Sequence, residues 1–273
     1  MDAQTLRAQA FKALHEREGV FVIPNPWDAG SAKMLASLGF EALATTSAGY
    51  AFSNARPDGG LSLEDTLANV RAIVAATDLP VAVDLENGFA DDPAECAQSI
   101  LRAAEAGAVG GSIEDATGRE EAPIYCFEHA VARIEAAVAA ARSLPFPFML
   151  TARAENFLHG NPDLADTIRR LQAFAEAGAD VLYAPGLRSV EDVLAVVRAV
   201  APKPVNVLMS GGLKLTVEQL REMGVKRISV GSALALAAYG EFFRAAEEIK
   251  TSGTFGFTSR SMPYAKANQL FKG

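Results

Sequence analysis

The chain repeats one local pattern along most of its length: a short apolar segment, a polar or glycine-containing junction, and a segment with helical spacing of apolar residues. Glycines close several of the helical segments, as in Ala106-Gly107-Ala108 and Ala177-Gly178-Ala179, because glycine readily adopts the left-handed conformation of a helix end. Eight strand–helix units in 273 residues predict an α/β fold of the (β/α)8 TIM-barrel type. A doubly wound sheet is the alternative, but it usually has fewer strands. The predicted strands are 21–23, 42–46, 81–84, 109–113, 148–151, 181–183, 204–208 and 228–230.

No change in composition divides the chain. Residues 1–273 are therefore predicted to form a single (β/α)8 barrel domain with an N-terminal helix at 3–17 and a C-terminal helical tail from residue 251 to residue 273. Half of the residues are hydrophobic (50%), which is enough for a core of this size. Asp28 is a predicted helix cap, and Ser62 with Asp65 resembles a capping box.

Charge and cysteine content limit the partners. The net charge of −8 argues against nucleic acid or an anionic membrane surface as a partner. The two cysteines, Cys96 and Cys126, do not form a disulfide framework and fit a reducing compartment. The sequence has neither an apolar run of about 18 residues, which a membrane span would need, nor the N-terminal pattern of a signal peptide. We therefore expect a soluble, cytoplasmic protein without nucleic-acid or membrane partners.

One stretch, Val81 to Gly88, combines a buried strand with two acids. Val81-Ala82-Val83 is apolar, and Asp84 and Glu86 follow it. Residues two apart in an extended chain point to the same side, so the two carboxylates can converge. Such a pair is unfavourable unless a cation lies between them, and oxygen ligands suit Mg²⁺ or Mn²⁺. The alternative is a solvated loop that happens to contain two acids.

Polar side chains also follow the other predicted strands, where the active sites of barrels lie. The acids among them predict a magnesium site with some ligands carried through water, and Arg153 could clamp a substrate carboxylate, or it could instead pair with Glu155 or another acid. A turn at Ser47-Ala48-Gly49 would offer N–H groups to an anionic oxygen. A metal beside a 2-oxo acid stabilises an enolate. The residues at these strand ends are Ser47, Asp84, Glu86, Glu114, Arg153 and Asn206.

The chain resembles the isocitrate lyase/phosphoenolpyruvate mutase superfamily across nearly the whole predicted barrel. The matching segments are Pro24-Asn25-Pro26-Trp27-Asp28-Ala29, Thr46-Ser47-Ala48-Gly49, Pro57-Asp58, Val83-Asp84-Leu85-Glu86-Asn87-Gly88, Ile113-Glu114-Asp115, Thr151-Ala152-Arg153 and Pro204-Val205-Asn206. The resemblance implies Mg²⁺ (or Mn²⁺) held around Asp84, Glu86 and Glu114, with Asp58 nearby. It also implies homo-dimers or homo-tetramers in which the last barrel helix is swapped between subunits. The implied substrate contacts come from Trp27, Ser47, Ala48, Gly49, Arg153 and Asn206.

The segment after Glu114 departs from the superfamily. The lyases have a Lys-Lys/Arg-Cys-Gly-His motif here and the phosphonate enzymes an Asn-containing one, whereas this chain has Ala122 at the position of the special residue. Cys126 lies four residues too late and is interpreted as a buried helix-start residue. The remaining candidates for proton transfer are Arg119, Tyr125 and His129, of which Tyr125 is the catalytic candidate. Glu86 replaces the usual second Asp, and Pro185-Gly186 stands where lyases tend to have a Glu.

Three functional hypotheses follow. The first is a Mg²⁺-dependent lyase or decarboxylase that acts on a small 2-oxo or 2-hydroxy dicarboxylic acid through a metal-stabilised enolate, with Arg153, Ser47 and Tyr125 as catalytic residues. The second is an enzyme that breaks or transposes the P–C bond of a phosphonate, and the missing Asn-containing segment argues against it. The third is a non-catalytic barrel that binds a metal and a small acid. The sequence does not choose the substrate.

Overall fold

The computed structural model describes residues 2–272, and within them it confirms the barrel. Eight parallel strands form one sheet in the order β1-β8-β7-β6-β5-β4-β3-β2. The Ala44 N–H donates to the Pro24 carbonyl at 3.2 Å and brings the two edge strands together. The strands are β1 Phe21–Ile23, β2 Leu43–Ala44, β3 Val81–Asp84, β4 Gly110–Glu114, β5 Met149–Arg153, β6 Val181–Tyr183, β7 Val205–Leu208 and β8 Arg227–Ser229.

Helices follow the strands, and their caps explain where several of them begin. Ser62 forms the predicted capping box with Asp65. Asp28 is a helix cap as predicted, and it forms a second capping box with Ser31. A short 3-10 helix spans Gly256–Arg260. The α-helices are α1 Ala3–Glu16, α2 Ala29–Ser37, α3 Ser47–Ser53, α4 Leu63–Ala76, α5 Pro93–Glu105, α6 Phe127–Ser143, α7 Leu164–Glu176, α8 Val190–Val200, α9 Val217–Glu222, α10 Ala233–Ser252 and α11 Tyr264–Phe271.

The N-terminal helix closes one end of the barrel. Phe11 of α1 is fully buried in a cluster with Phe21, Met149 and Val181, which open their strands or lie near their starts. A second, larger cluster fills the space between the sheet and the surrounding helices. Because apolar side chains close the N-terminal end, the cavity lies at the opposite end, where the strands finish.

Three local expectations are wrong. The second strand is two residues long, shorter than predicted. Ser47-Ala48-Gly49 is the first turn of helix α3, because the Thr46 side chain accepts a hydrogen bond from the Gly49 N–H at 3.2 Å and caps a helix there. Cys126 is exposed as the residue preceding α6. None of the helices within residues 2–272 is long and apolar enough to span a membrane.

Candidate active site

A cavity of about 200 Å³ opens at the C-terminal ends of the strands. The parallel register brings its polar lining together, because Glu114 pairs with Arg153, Arg153 with Tyr183, and Tyr183 with Asn206. Six of the predicted site residues line this cavity: Ser47, Ala48, Asp58, Asp84, Arg153 and Asn206.

Arg153 is surrounded by carboxylates. Its Nη1 lies 2.9 Å from Asp84 Oδ1, its Nη2 2.9 Å from Glu114 Oε2, and its Nε 2.8 Å from Glu155 Oε1. The side chain is 14% exposed, so these pairs are shielded from water. In this arrangement the guanidinium is engaged by the protein's own acids, which is the alternative considered for it. Its contact with a substrate carboxylate stays a prediction.

The acids outnumber the cation that pairs with them. Glu86 Oε1 is buried without a hydrogen-bond partner, and burial together with repulsion from Asp84 and Asp58 raises the pKa of Glu86 to about 7. Burial also raises the pKa of Glu114 well above its usual value. A carboxylate that is buried and unpaired is unfavourable unless a cation or proton neutralises it. The site therefore has negative charge to accommodate.

These acids fit a hard divalent cation. Glu86 and Glu114 line an open groove beside the cavity. Asp58 lines the groove and the cavity, and therefore lies where they meet. Partial desolvation and repulsion from Asp84 raise the pKa of Asp58. Across residues 2–272 no three Asp, Glu, His or Cys side chains form a ready-made metal cage. Mg²⁺ and Mn²⁺ commonly retain water ligands and need few direct carboxylates, so this donor set suits them.

The start of α3 faces the same acids. Ser47 donates from its hydroxyl to Asp84 Oδ2 at 3.0 Å and from its N–H at 3.4 Å. Gly49 is buried behind the lining, where an added Cβ would lie 2.7 Å from Thr46 Cγ2 and 3.2 Å from Trp27 Cβ. The Trp27 ring packs against Tyr239, with centroids 6.4 Å apart. The structure thus brings Ser47 and Ala48 to the cavity, whereas Gly49 and Trp27 support the wall from behind.

The loop after Glu114 is held by Asp91. The Tyr125 hydroxyl donates to Asp91, and Arg119 Nη1 lies 2.8 Å from Asp91 Oδ2. Tyr125 is buried, and the Arg133 guanidinium lies 4.3 Å from its ring centroid. The structure does not place Tyr125 in the lining of the cavity, and its catalytic role stays a prediction.

Several lining residues were missed by the sequence interpretation. Arg227, Thr151 and Ser229 line the cavity from the inside of the barrel. The one available signal was a basic residue at the opening of the apolar strand β8. Tyr183, named as a residue that could reach the site, does line the cavity, with its ring 5.3 Å from Arg153 Cζ.

Comparison with known structures agrees with the fold. A crystal structure of a candidate lyase/mutase from Burkholderia cenocepacia J2315 is 57% identical, with a TM-score of 0.98, and the match covers 100% of this chain and 98% of that one. Oxaloacetate acetylhydrolase, solved with its product oxalate, is 27% identical with a TM-score of 0.86, covering 96% of this chain and 93% of that one.

Sequence comparison points the same way. The 2-methylisocitrate lyase of Escherichia coli K12 is 30% identical over 88% of this chain and 82% of that protein. The family model described as phosphoenolpyruvate phosphomutase matches residues 11–250. The chain therefore belongs to the phosphoenolpyruvate phosphomutase family, within the isocitrate lyase/phosphoenolpyruvate mutase superfamily of lyases and mutases.

Proposed function

We propose that the protein is a Mg²⁺-dependent (or Mn²⁺-dependent) lyase or decarboxylase that acts on a small 2-oxo or 2-hydroxy dicarboxylic acid. The observation that carries the proposal is the buried, unpartnered Oε1 of Glu86, which lines the groove beside a cavity of about 200 Å³ together with Glu114. A bound divalent cation would supply the positive charge that stabilises an enolate. The name of oxaloacetate acetylhydrolase supports a 2-oxo dicarboxylic acid as substrate, and that of 2-methylisocitrate lyase supports lyase chemistry on a 2-hydroxy acid.

The roles of the chain's own residues follow from where they lie. Asp84, Glu86 and Glu114, with Asp58 at the mouth, would hold the cation. Arg153 keeps these acids in place by pairing with Asp84 and Glu114.

The substrate's polar groups would meet other parts of the wall. Ser47 and the amide of Ala48 would bind a substrate oxygen at the start of α3, whereas the Gly49 N–H is used by the Thr46 cap. Asn206 would bind a carboxylate from the other wall. Tyr125 is the candidate proton donor, since burial raises its pKa and keeps it protonated. It could act only if the loop moved toward the cavity.

The proposal extends to the setting of the reaction. The partner is a small carboxylic acid, and neither nucleic acid nor membrane is involved. The protein would work in the cytoplasm, as its composition predicts, as a homo-dimer or homo-tetramer.

A P–C bond enzyme is the second candidate, favoured by the phosphoenolpyruvate phosphomutase model that matches residues 11–250. A panel of 2-oxo and 2-hydroxy dicarboxylates and phosphonates, assayed for pyruvate and CO₂ and by ³¹P NMR for phosphate release or a transposed P–C bond, separates the two. Phosphate release from a phosphonate, without cleavage of any dicarboxylate, would replace the first proposal. Metal-dependent turnover of any compound would exclude a non-catalytic barrel.

The proposed site is tested by thermal unfolding with Mg²⁺ and oxalate, a planar mimic of a pyruvate enolate. Saturating ligand should raise the Tm of the wild type by about 5 °C, since binding at 100 times Kd contributes about 2.7 kcal/mol. Asp84→Ala should lose this shift, and the matched control Asp78→Ala, at an exposed acid outside the site, should keep it. A wild type that shows no joint shift would overturn the proposed site.

A further inference from the structure

Arg227 is a buried cation whose partners are all neutral. Its side chain lies inside the barrel, 6% exposed, and it lines the cavity. Its Nε donates to Asn206 Oδ1 at 2.8 Å and its Nη2 to Thr151 Oγ1 at 2.9 Å. No carboxylate between residues 2 and 272 forms a salt bridge with it. Burial lowers the pKa of Arg227 to about 10, so the guanidinium is still charged at neutral pH.

The N-terminal helix holds this guanidinium without neutralising it. His15 is buried, and its Nδ1 lies 2.8 Å from the Phe11 carbonyl, so Nδ1 carries the proton and donates. Burial and the nearby Arg227 lower the pKa of His15 to about 3, so the ring is neutral. Its Nε2 is then free to accept from Arg227 Nη1, at 3.5 Å.

Arg227 also fixes which atom of the Asn206 carboxamide can face a ligand. Because Oδ1 accepts from Arg227, Nδ2 must be the donor on the other side, and it donates to Ser229 Oγ at 2.9 Å. A carboxamide nitrogen has two hydrogens, so one N–H is left for the cavity. Without Arg227 the amide could rotate and present its oxygen, which would repel an anion.

The strand order separates the two kinds of charge. Asp84 ends β3 and Glu114 ends β4, whereas Asn206 lies on β7 and Arg227 on β8. In an eight-stranded barrel with this order, β3 and β4 lie across the cavity from β7 and β8. The acidic half suits a cation and the oxo-acid end of a substrate. The opposite half has a buried positive charge and an oriented N–H, which suit a second carboxylate.

We propose that Arg227 is a positioning residue that makes the β7–β8 wall selective for the second carboxylate of a dicarboxylate substrate. It acts by orienting the Asn206 amide toward the cavity and by leaving its own charge unpaired in the wall. This inference rests on the proposed function in one respect: the acidic half of the cavity must bind the divalent cation and, with it, the oxo-acid end of the substrate.

The test compares a dicarboxylate with a monocarboxylate in the presence of Mg²⁺. Calorimetry would give the Kd of 3,3-difluorooxaloacetate and of pyruvate for the wild type, Arg227→Gln, Arg227→Lys and the surface control Arg142→Gln. A charge-assisted hydrogen bond corresponds to on the order of 10- to 100-fold in affinity. In Arg227→Gln the ratio of dicarboxylate to pyruvate affinity should fall on the order of 10- to 100-fold, while the Kd of pyruvate stays unchanged. Arg227→Lys should recover part of the preference, and Arg142→Gln should match the wild type.

A second variant separates positioning from a purely structural role. Asn206→Asp gives Arg227 a carboxylate partner and removes the donor, so the protein should keep or raise its Tm while losing the dicarboxylate preference. If either Arg227→Gln or Asn206→Asp folds and keeps the wild-type preference, the inference is overturned. Both variants should keep the Tm shift with Mg²⁺ and oxalate, which bind the acidic half. If the wild type itself shows no Tm shift with Mg²⁺ and oxalate, the result contradicts the proposed function rather than the role of Arg227.

Discussion

Glu86 is the residue at which the site's excess negative charge is concentrated. Its backbone has a positive φ of 49°, which is uncommon for a side chain other than glycine, and its buried Oε1 has no partner. The two features together hold a carboxylate where neither the backbone nor the surroundings favour it. Such strain is typical of residues that a site needs in one orientation.

The raised pKa of Glu86 gives the metal-free protein a pH-dependent stability. The folded-state pKa of about 7 exceeds the ordinary glutamate value of 4.5, so the folded state binds more protons between these values and stability falls as pH rises through that window. Glu86→Gln removes the charge. We expect it to stabilise the metal-free protein at pH 8 by about 1 to 3 kcal/mol and to have little effect of this kind at pH 4.5. Urea unfolding at both pH values measures the difference.

Two controls accompany this measurement. Glu105→Gln, at an exposed position of α5, should show no pH-dependent gain. Saturating Mg²⁺ should remove the advantage of Glu86→Gln at pH 8, because the cation stabilises only the protein that keeps the carboxylate. An equal effect of Glu86→Gln at both pH values would show that its charge is already compensated in the fold.

At the scale of elements, the sequence predicted the barrel well because apolar strands and helix caps are local signals. It missed α3 because Ser-Ala-Gly is typical of a turn and glycine disfavours a helix. The structure shows why Gly49 is nevertheless there, since a Cβ would lie 3.2 Å from the Cβ atoms of both Trp27 and Ala235, besides overlapping the nearby Thr46 side chain. Tertiary crowding decided the residue, and no local pattern carries that information.

The sequence identified many of the residues of the site, but not which of them contact each other. The position of Arg153 at a strand end was foreseeable, but its contact with Asp84 joins residues 69 apart in sequence. Arg227 was missed because its partners Thr151 and His15 come from distant elements. Which charges stay unpaired depends on these long-range contacts.

The contacts of Asp91, in the loop before α5, should determine how often the loop after Glu114 opens. Asp91 accepts from both Arg119 and Tyr125, and its side chain is 59% exposed, so the link contributes about 1 kcal/mol or less. Asp91→Ala should therefore raise amide hydrogen exchange in residues 117–123 up to about fivefold, measured by mass spectrometry. Tyr125→Phe should give a smaller increase and Glu120→Ala none. Unchanged exchange in Asp91→Ala would mean that other contacts hold the loop.

At the scale of the molecule, α10 is far more exposed than a helix packed on a monomeric barrel would be. It spans Ala233–Ser252, yet only Ala235 is buried. Phe242 is 72% exposed and Phe243 63% exposed. The tail adds exposed apolar residues, among them Phe255 and Tyr264. Exposed apolar surface of this extent marks an interface, and the family resemblance predicts a helix exchanged with a second copy.

We therefore expect a homo-dimer or homo-tetramer held together by α10. Replacing Phe242 and Phe243 by Asp should place charges in that interface, where unpaired charge is strongly unfavourable, and should shift the protein toward monomer at micromolar concentration. Light scattering after size-exclusion chromatography measures the mass, and circular dichroism checks that the barrel remains folded. Leu38→Asp, at a leucine that is 73% exposed outside α10, should leave the mass unchanged. A monomeric wild type would mean that α10 has another partner, because its apolar face would then be uncovered in the isolated chain.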